Sequence, residues 1–125
     1  MVLRLMIRYT TGNLLEAGTE ALVNTVNTVG VMGKGIALQF AERYRSNLKR
    51  YKEACKSGEL QVGTLLVTTD ADMQGERLII NFPTKKDWKH RSSYAYIEAG
   101  LKELALLIKE RNIRSIAIPP LGCGN

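Results

Sequence analysis

Residues 28 to 37, "TVGVMGKGIA", gather Gly30, Gly33 and Gly35 around Lys34, between an apolar run and an amphipathic one. Glycines at this density let successive N–H groups turn toward one concavity, and a helix that follows presents its positive end. The stretch therefore suits an anion. Its spacing is not that of a Walker loop, which needs four residues between the first glycine and a Gly-Lys-Ser/Thr end. Nor is it the Rossmann fingerprint, whose close glycine pair comes first; here Gly33 and Gly35 come last. A tight strand-to-helix connection without a ligand would use the same residues. A second glycine turn after a strand, "PPLGCGN" at residues 119 to 125, weighs against that plainer reading.

A third stretch, "TKKDWKHRSS", surrounds Trp88 with Lys85, Lys86, Lys89, Arg91 and His90. Cations interleaved with an aromatic ring suit a phosphodiester backbone and a stacked base. A solvated loop with Trp88 tucked against the sheet explains the same residues equally well. Lys85 lies just past an apolar run, where it can point into a pocket or simply decorate the surface. A desolvated lysine beside an anomeric carbon can act as nucleophile or as electrostatic partner. In "NTVN", Asn24 and Asn27 end a buried strand with carboxamides that can donate to and accept from sugar hydroxyls. Such asparagines also commonly bond their own turn, as Asn13 in "TGNLL" can. His90 is the only histidine and has no Ser or Cys dyad nearby in sequence, so we assign it no role as catalytic base. Cys123 contributes size and a backbone amide to its turn. No metal-ligand spacing occurs, and we expect no cofactor.

These stretches must be carried by elements, and the pattern supplies them. "LRLMIRY" reads as a first strand, "TTGNLLEAG" as a turn and "EALVNTVN" as a buried, parallel-type strand. Ile36, Phe40 and Tyr44, with Ala37 and Ala41 beside them, mark one face of a helix. Ser46 is placed to cap a second helix in which Leu48, Tyr51 and Cys55 share a face, with Gly58 as its stop. "GTLLVTTD" and "ERLIINFP" read as strands flanking the turn "ADMQG". Ser92 or Ser93 opens the longest helix, with Ile97, Leu101, Leu104 and Ile108 as its buried stripe and Lys109 and Arg111 at its C-terminal end. "SIAIPPLGCGN" is a strand entering a glycine turn. Alternating strands and helices predict an α/β sheet, partly parallel and covered by helices, with ligands beyond the carboxyl ends of the strands.

The bulk properties agree with one domain: 125 residues, 45% hydrophobic and 24% charged, with no low-complexity tract. No stretch is apolar enough to span a bilayer as a helix, so no membrane partner is expected. The two cysteines, Cys55 and Cys123, lie far apart and read as free thiols of a reducing cytoplasm. A net charge of +6 favours acidic partners, nucleic acid among them.

Taken together, "TGNLLEAGTEALVNTVN", "GVMGKGIA" and "IPPLGCGN" resemble the macrodomain, a three-layer α/β/α module that binds ADP-ribose on a mixed sheet. More narrowly, "MGKGIALQF", "FPTKKDWKHRSSY" and "PPLGCGN" resemble the DarG type, antitoxins that remove ADP-ribose from thymidine bases in DNA after a DarT toxin has attached it. The resemblance covers essentially all of the chain. It implies that Asn13, with Leu14, takes the adenine-recognition position, where most macrodomains have Asp. It implies that Gly30, Val31, Met32, Gly33, Lys34, Gly35, Ile36 and Ala37 grip one side of the diphosphate. Leu121, Gly122, Cys123, Gly124 and Asn125 would grip the other, with Asn24 and Asn27 near the distal ribose. Lys85 matches the catalytic lysine, with its neighbour Lys86 as the alternative, and Lys86, Trp88, Lys89, His90 and Arg91 would hold DNA. ADP-ribose, ADP-ribosylated DNA and a DarT-like toxin are the partners implied. Protein-directed glycohydrolases carry an acidic residue just past "GCG"; here Asn125 follows that stretch and the sequence given ends, so the acidic residue is either absent or outside it. We also expect a macrodomain's last helix and strand to be missing beyond that residue. Hydrolysis of protein-linked ADP-ribose or O-acetyl-ADP-ribose, or ADP-ribose reading without catalysis, would use the same fold.

Overall fold

The structure, a computed structural model, describes residues 12–87 and 93–121. The expected first strand "LRLMIRY" lies outside them. So do Trp88, Lys89, His90, Arg91, Gly122, Cys123, Gly124 and Asn125.

Everything described is organised on β1 (Ala21–Val26), whose run "ALVNTV" is buried at five of six positions. A strand apolar on both faces must be covered on both, and successive side chains supply the two faces. Leu22 and Val26 join a core with Phe40, Tyr44, Tyr51 and Ile79, whereas Ala21 and Val23 join a second core with Ile80, Phe82 and Leu104. The first core is roofed by α1 (Gly35–Arg43) and α2 (Arg45–Ser57), the second by α3 (Tyr94–Arg111). Each fully buried large apolar side chain contributes about 1.5–3 kcal/mol.

Among the described residues the sheet has four strands, in the order β2-β3-β1-β4. β3 (Gly75–Pro83) and β4 (Ile116–Ala117) flank β1 in parallel, and β2 (Leu66–Asp72) runs antiparallel to β3. The expected mixed α/β/α arrangement is therefore present.

Three local expectations need correction. The turn between β2 and β3 is tighter than "ADMQG", because pairing continues to Asp72↔Gly75 and leaves only Met73 and Gln74 outside the ladder. Asp72 Oδ1 accepts the Gln74 N–H (2.8 Å), and Gly75 takes φ +121°, a conformation that favours glycine. Secondly, Ser46 does not cap α2. The helix begins at Arg45, and Asp70 of β2 reaches across to accept the Asn47 N–H (2.9 Å), a cap supplied by tertiary structure. Thirdly, the inward stripe of α3 is centred on Gly100 and Leu104, while Leu101 remains exposed. Gly100 faces Phe82 so closely that a Cβ there would lie 2.4 Å from the ring, which draws the helix axis onto the sheet along this line. Ser93 opens α3 as its N-cap, accepting the Ala95 N–H (3.2 Å).

Candidate functional site

Beyond the last rung of the β1–β3 ladder, Val26↔Pro83, the two departing loops are stitched together. The Thr84 N–H donates to the Val26 carbonyl (3.0 Å). The Lys86 carbonyl accepts from both the N–H (3.0 Å) and the hydroxyl (2.8 Å) of Thr28. Residues 84 to 86 thus occupy the span opposite Asn27 alone. Lys85 sits mid-bulge, a distortion common beside active sites because it re-aims a side chain. Lys85 is half-buried, whereas Lys86 is exposed and holds its Nζ 5.9 Å from the centre of the Tyr96 ring on α3. The two neighbouring lysines therefore part company.

Asn27 folds the glycine loop from within. Its Oδ1 accepts the N–H groups of Val29 (3.1 Å) and Val31 (3.4 Å), and its Nδ2 donates to the Val31 carbonyl (2.9 Å). From below, the fully buried Tyr51 of α2 donates its hydroxyl to Asn27 at Oδ1 (2.7 Å) and at the carbonyl (3.0 Å). Gly30, at φ +90°, lies directly over Cys55, whose Cβ would be 3.7 Å from a Cβ added there. Burial raises the Cys55 thiol above its ordinary value, partly offset by hydrogen bonds from Tyr51 and the Gly30 backbone. Burial likewise raises the Tyr51 phenol, so both groups stay protonated at neutral pH.

The loop then pins itself by burying Met32, leaving Val29, Val31, Gly33 and Lys34 exposed. α1 opens at Gly35 (φ +62°), and its N-cap residue Lys34 makes no side-chain capping bond. Among the described residues its first-turn amides thus have no side-chain cap at the surface where the loop ends, as suits an anion site. Ile36 and Ala37 are half-buried and pack on the first core, fixing the helix start to the sheet.

Asn13 is exposed and accepts the Leu15 N–H (3.0 Å), so the turn-closing role open to it in sequence is present. The one-turn helix Leu14–Glu16 is tied to α1 by Arg43, which donates to the Leu15 carbonyl (3.1 Å) and pairs with Glu16 (2.6 Å). Leu14 packs on the first core. At the far side, Leu121 packs on the second core, and the rest of the second glycine turn lies outside the described residues.

Asn24 departs from its expected place near a ribose. It is fully buried, with Nδ2 donating to Asn81 Oδ1 (3.3 Å) and lying 3.7 Å from the Met32 sulfur. Asn81 exchanges hydrogen bonds with Asn47 of α2, which also accepts from Thr68 (2.6 Å). Strand alternation is the reason: position 24 points into the α1–α2 layer, between Leu22 and Val26. Its Oδ1 has no partner among the described residues.

A hollow of about 440 Å³ lies at the opposite end of the sheet, between Thr19, Glu20, Gln74 and Arg77. Arg77 is spent there on the carbonyls of Ala17 and Thr19, so the glycine loop remains the candidate. Among the described residues no cluster of metal-ligating side chains occurs, and no helix is long and apolar enough to cross a membrane.

Sequence reading missed Tyr51 as a member of this site, along with the Asn47–Asn81 pair. A tyrosine on a buried helix face needs a partner for its hydroxyl, and an asparagine inside "LIINFP" needs one for its amide. Those were the available signals.

A mixed sheet roofed on both sides, with a glycine loop entering a helix at the carboxyl end of its central strand, defines an α/β module of the ligand-at-strand-ends class. The chain belongs to the macrodomain family, whose macro domain profile matches residues 23–125. It is similar to a DNA ADP-ribosyl glycohydrolase of Mycobacterium tuberculosis, 57% identical over 96% of this chain and 34% of that protein. The macrodomain of Mycobacterium tuberculosis DarG superposes with a TM-score of 0.91 at 56% identity, covering 95% of this chain and 78% of that one. Thermosipho africanus DarTG, solved in complex with ADP-ribose, superposes with a TM-score of 0.82 at 33% identity over 90% of this chain and 32% of that one. The chain spans about one third of the length of the curated relatives it first matches.

Proposed function

We propose that this chain is an ADP-ribosyl glycohydrolase that releases ADP-ribose from thymidine bases in DNA and so counteracts a DarT-like transferase. The observation that carries the reading is the juxtaposition of the Lys85 bulge with the Asn27-built amide loop at adjoining strand ends. The likeness to DNA ADP-ribosyl glycohydrolases supports the substrate, and the Thermosipho africanus transferase–glycohydrolase fusion supports the toxin partnership. We place the reaction in the cytoplasm, where DNA and both thiols would be found.

In this reading the α1 amides and the loop from Gly30 to Ala37 receive the diphosphate. The turn at Leu121 to Asn125 closes over it, and Asn13 with Leu14 meets the adenine. β4 pairs with the start of β1 in parallel, Ala117 opposite Leu22, so the chain leaves β4 heading the same way as β1. The distal ribose then lies toward Asn27 and Lys85. As the bond from ribose C1 to the thymine nitrogen breaks, thymine takes a proton and positive charge builds on C1. The Lys85 amine bonds to C1, giving a lysyl adduct that water releases as free ADP-ribose, or it stabilises the departing base while water attacks. Borohydride trapping of a covalent adduct separates the two routes. Lys86, Trp88, Lys89, His90 and Arg91 would hold the flanking strand.

The test is incubation with an oligonucleotide ADP-ribosylated on thymidine, following free ADP-ribose. Release is expected. Turnover of ADP-ribosylated protein alone would move the substrate to protein, and tight ADP-ribose binding with no turnover would make the chain a reader.

A further inference from the structure

The exposed face of α2 carries a row of cations that the proposed chemistry does not use. Arg45, Lys49, Lys52 and Lys56 are all exposed and recur at steps of four, three and four. At 100° per residue they fall within about 60° of arc and span about 16 Å of helix axis. Like charges three and four residues apart cost a helix about 0.2–0.5 kcal/mol per pair, so the row opposes the stability of its own element. No ion pair among the described residues offsets it. The described ion pairs are Arg43–Glu16 and Arg50–Glu59, and no member of the row forms one among the described residues. Glu53, at the edge of the row, is the only acidic residue of α2.

The row also adjoins the candidate site. Tyr51 and Cys55, on the neighbouring face of α2, touch Asn27 and Gly30 of the glycine loop. Lys52 and Lys56 are their immediate chain neighbours, one step around the helix toward solvent. Lys85 and Lys86 stand at the next strand end on the other side of Asn27 and Thr28.

We propose that the α2 row is a track for the phosphodiester backbone of single-stranded nucleic acid leaving the site. Helix geometry sets the spacing of the cations, and sequence plays no part in the contact, as suits an enzyme that must accept a modified base in varied surroundings. The proposal rests on the reading that the substrate is carried by nucleic acid.

The test uses the protein with Lys49→Gln, Lys52→Gln and Lys56→Gln combined. Binding of an unmodified, fluorescently labelled single-stranded 15-mer is followed by anisotropy across a salt series. Each lost contact flattens the slope of log K against log salt by about 0.7, so a decrease of about 2 is expected. On ADP-ribosylated oligonucleotide the variant raises KM with kcat retained, and its affinity for free ADP-ribose stays that of the parent. Glu53→Gln works in the opposite sense and tightens oligonucleotide binding about two- to fivefold, the range of one exposed charge pair. An unchanged slope in the folded triple variant overturns the track. If the parent binds the 15-mer but releases no ADP-ribose, the proposed function fails, while the slopes still decide the track.

Discussion

Lys85 and Asn27 stand opposite one another across the seam between β3 and β1, bracketed by the Thr84–Val26 and Thr28–Lys86 hydrogen bonds. One residue carries an amine that no described hydrogen bond or ion pair engages; the other has its side chain committed to shaping the loop. In the proposed function this divides labour between reaction and positioning.

Lys85→Ala should therefore lower ADP-ribose release by about 10²–10³-fold, the usual loss when one electrostatic partner of a transition state is removed. ADP-ribose affinity by calorimetry should stay within about threefold, since the amide loop is untouched. Lys86→Ala, at a side chain drawn to Tyr96, should leave kcat near that of the parent. Equal losses for both lysines would contradict the assignment.

Tyr51→Phe removes the hydroxyl that supports Asn27 at two points. Leaving a buried acceptor short of its donor costs about 1–3 kcal/mol. Part of that should surface as weaker ADP-ribose binding, about tenfold for each 1.4 kcal/mol, because the loop amides lose their template. Thermal denaturation together with ligand titration separates the two effects. Tyr51→Ala, which also opens a cavity, should lose far more stability.

Tyr44 donates to Asp72 (2.6 Å), joining the α1–α2 junction to the β2–β3 hairpin. Burial, then the bond to Asp72, pushes the Tyr44 phenol up to about 12, so the folded form binds its proton more tightly than the unfolded form. Its contribution to stability is complete below pH 10 and is lost as pH rises from there toward 12. The Tyr44 bond also holds the Asp72 carboxylate below its ordinary value. Its contribution is present above the usual carboxylate range and lost as pH falls through the lowered value. Tyr44→Phe should flatten both limbs of the denaturation profile, and Asp72→Asn should flatten chiefly the acid limb.

Gly100→Ala should destabilise the fold although alanine favours helices, because the added methyl would meet the Phe82 ring at 2.4 Å. Overpacking of this kind costs about 1–3 kcal/mol. Chemical denaturation should show the loss, and Phe82→Leu in the same chain should recover part of it. An Ala variant as stable as the parent would mean that the ring moves aside freely.

Sequence reading reached the α/β class, the buried parallel strand "ALVNTV" and the Gly58 stop because each depends on local periodicity or on one conformational preference. It placed the glycine loop at a strand end for the same reason. It put Asn24 at the end of a buried strand and expected it near the distal ribose, since a carboxamide near a strand end looks alike whether it points to ligand or to core. Only the register, Asn24↔Asn81, tells them apart. The α2 cap was illegible because Asp70 comes from 23 residues away. The α3 stripe shifted to Gly100 because a glycine carries no hydrophobic signal, yet it permits the closest approach.

The stitching of residues 84 to 86 onto Val26 and Thr28 sets the gap between amine and amides by the spacing of two neighbouring β-strands rather than by the reach of a mobile lid. Such a gap is inherited with the sheet. In the proposed reaction, a change of side chain at position 85 would therefore leave the amide loop where it is.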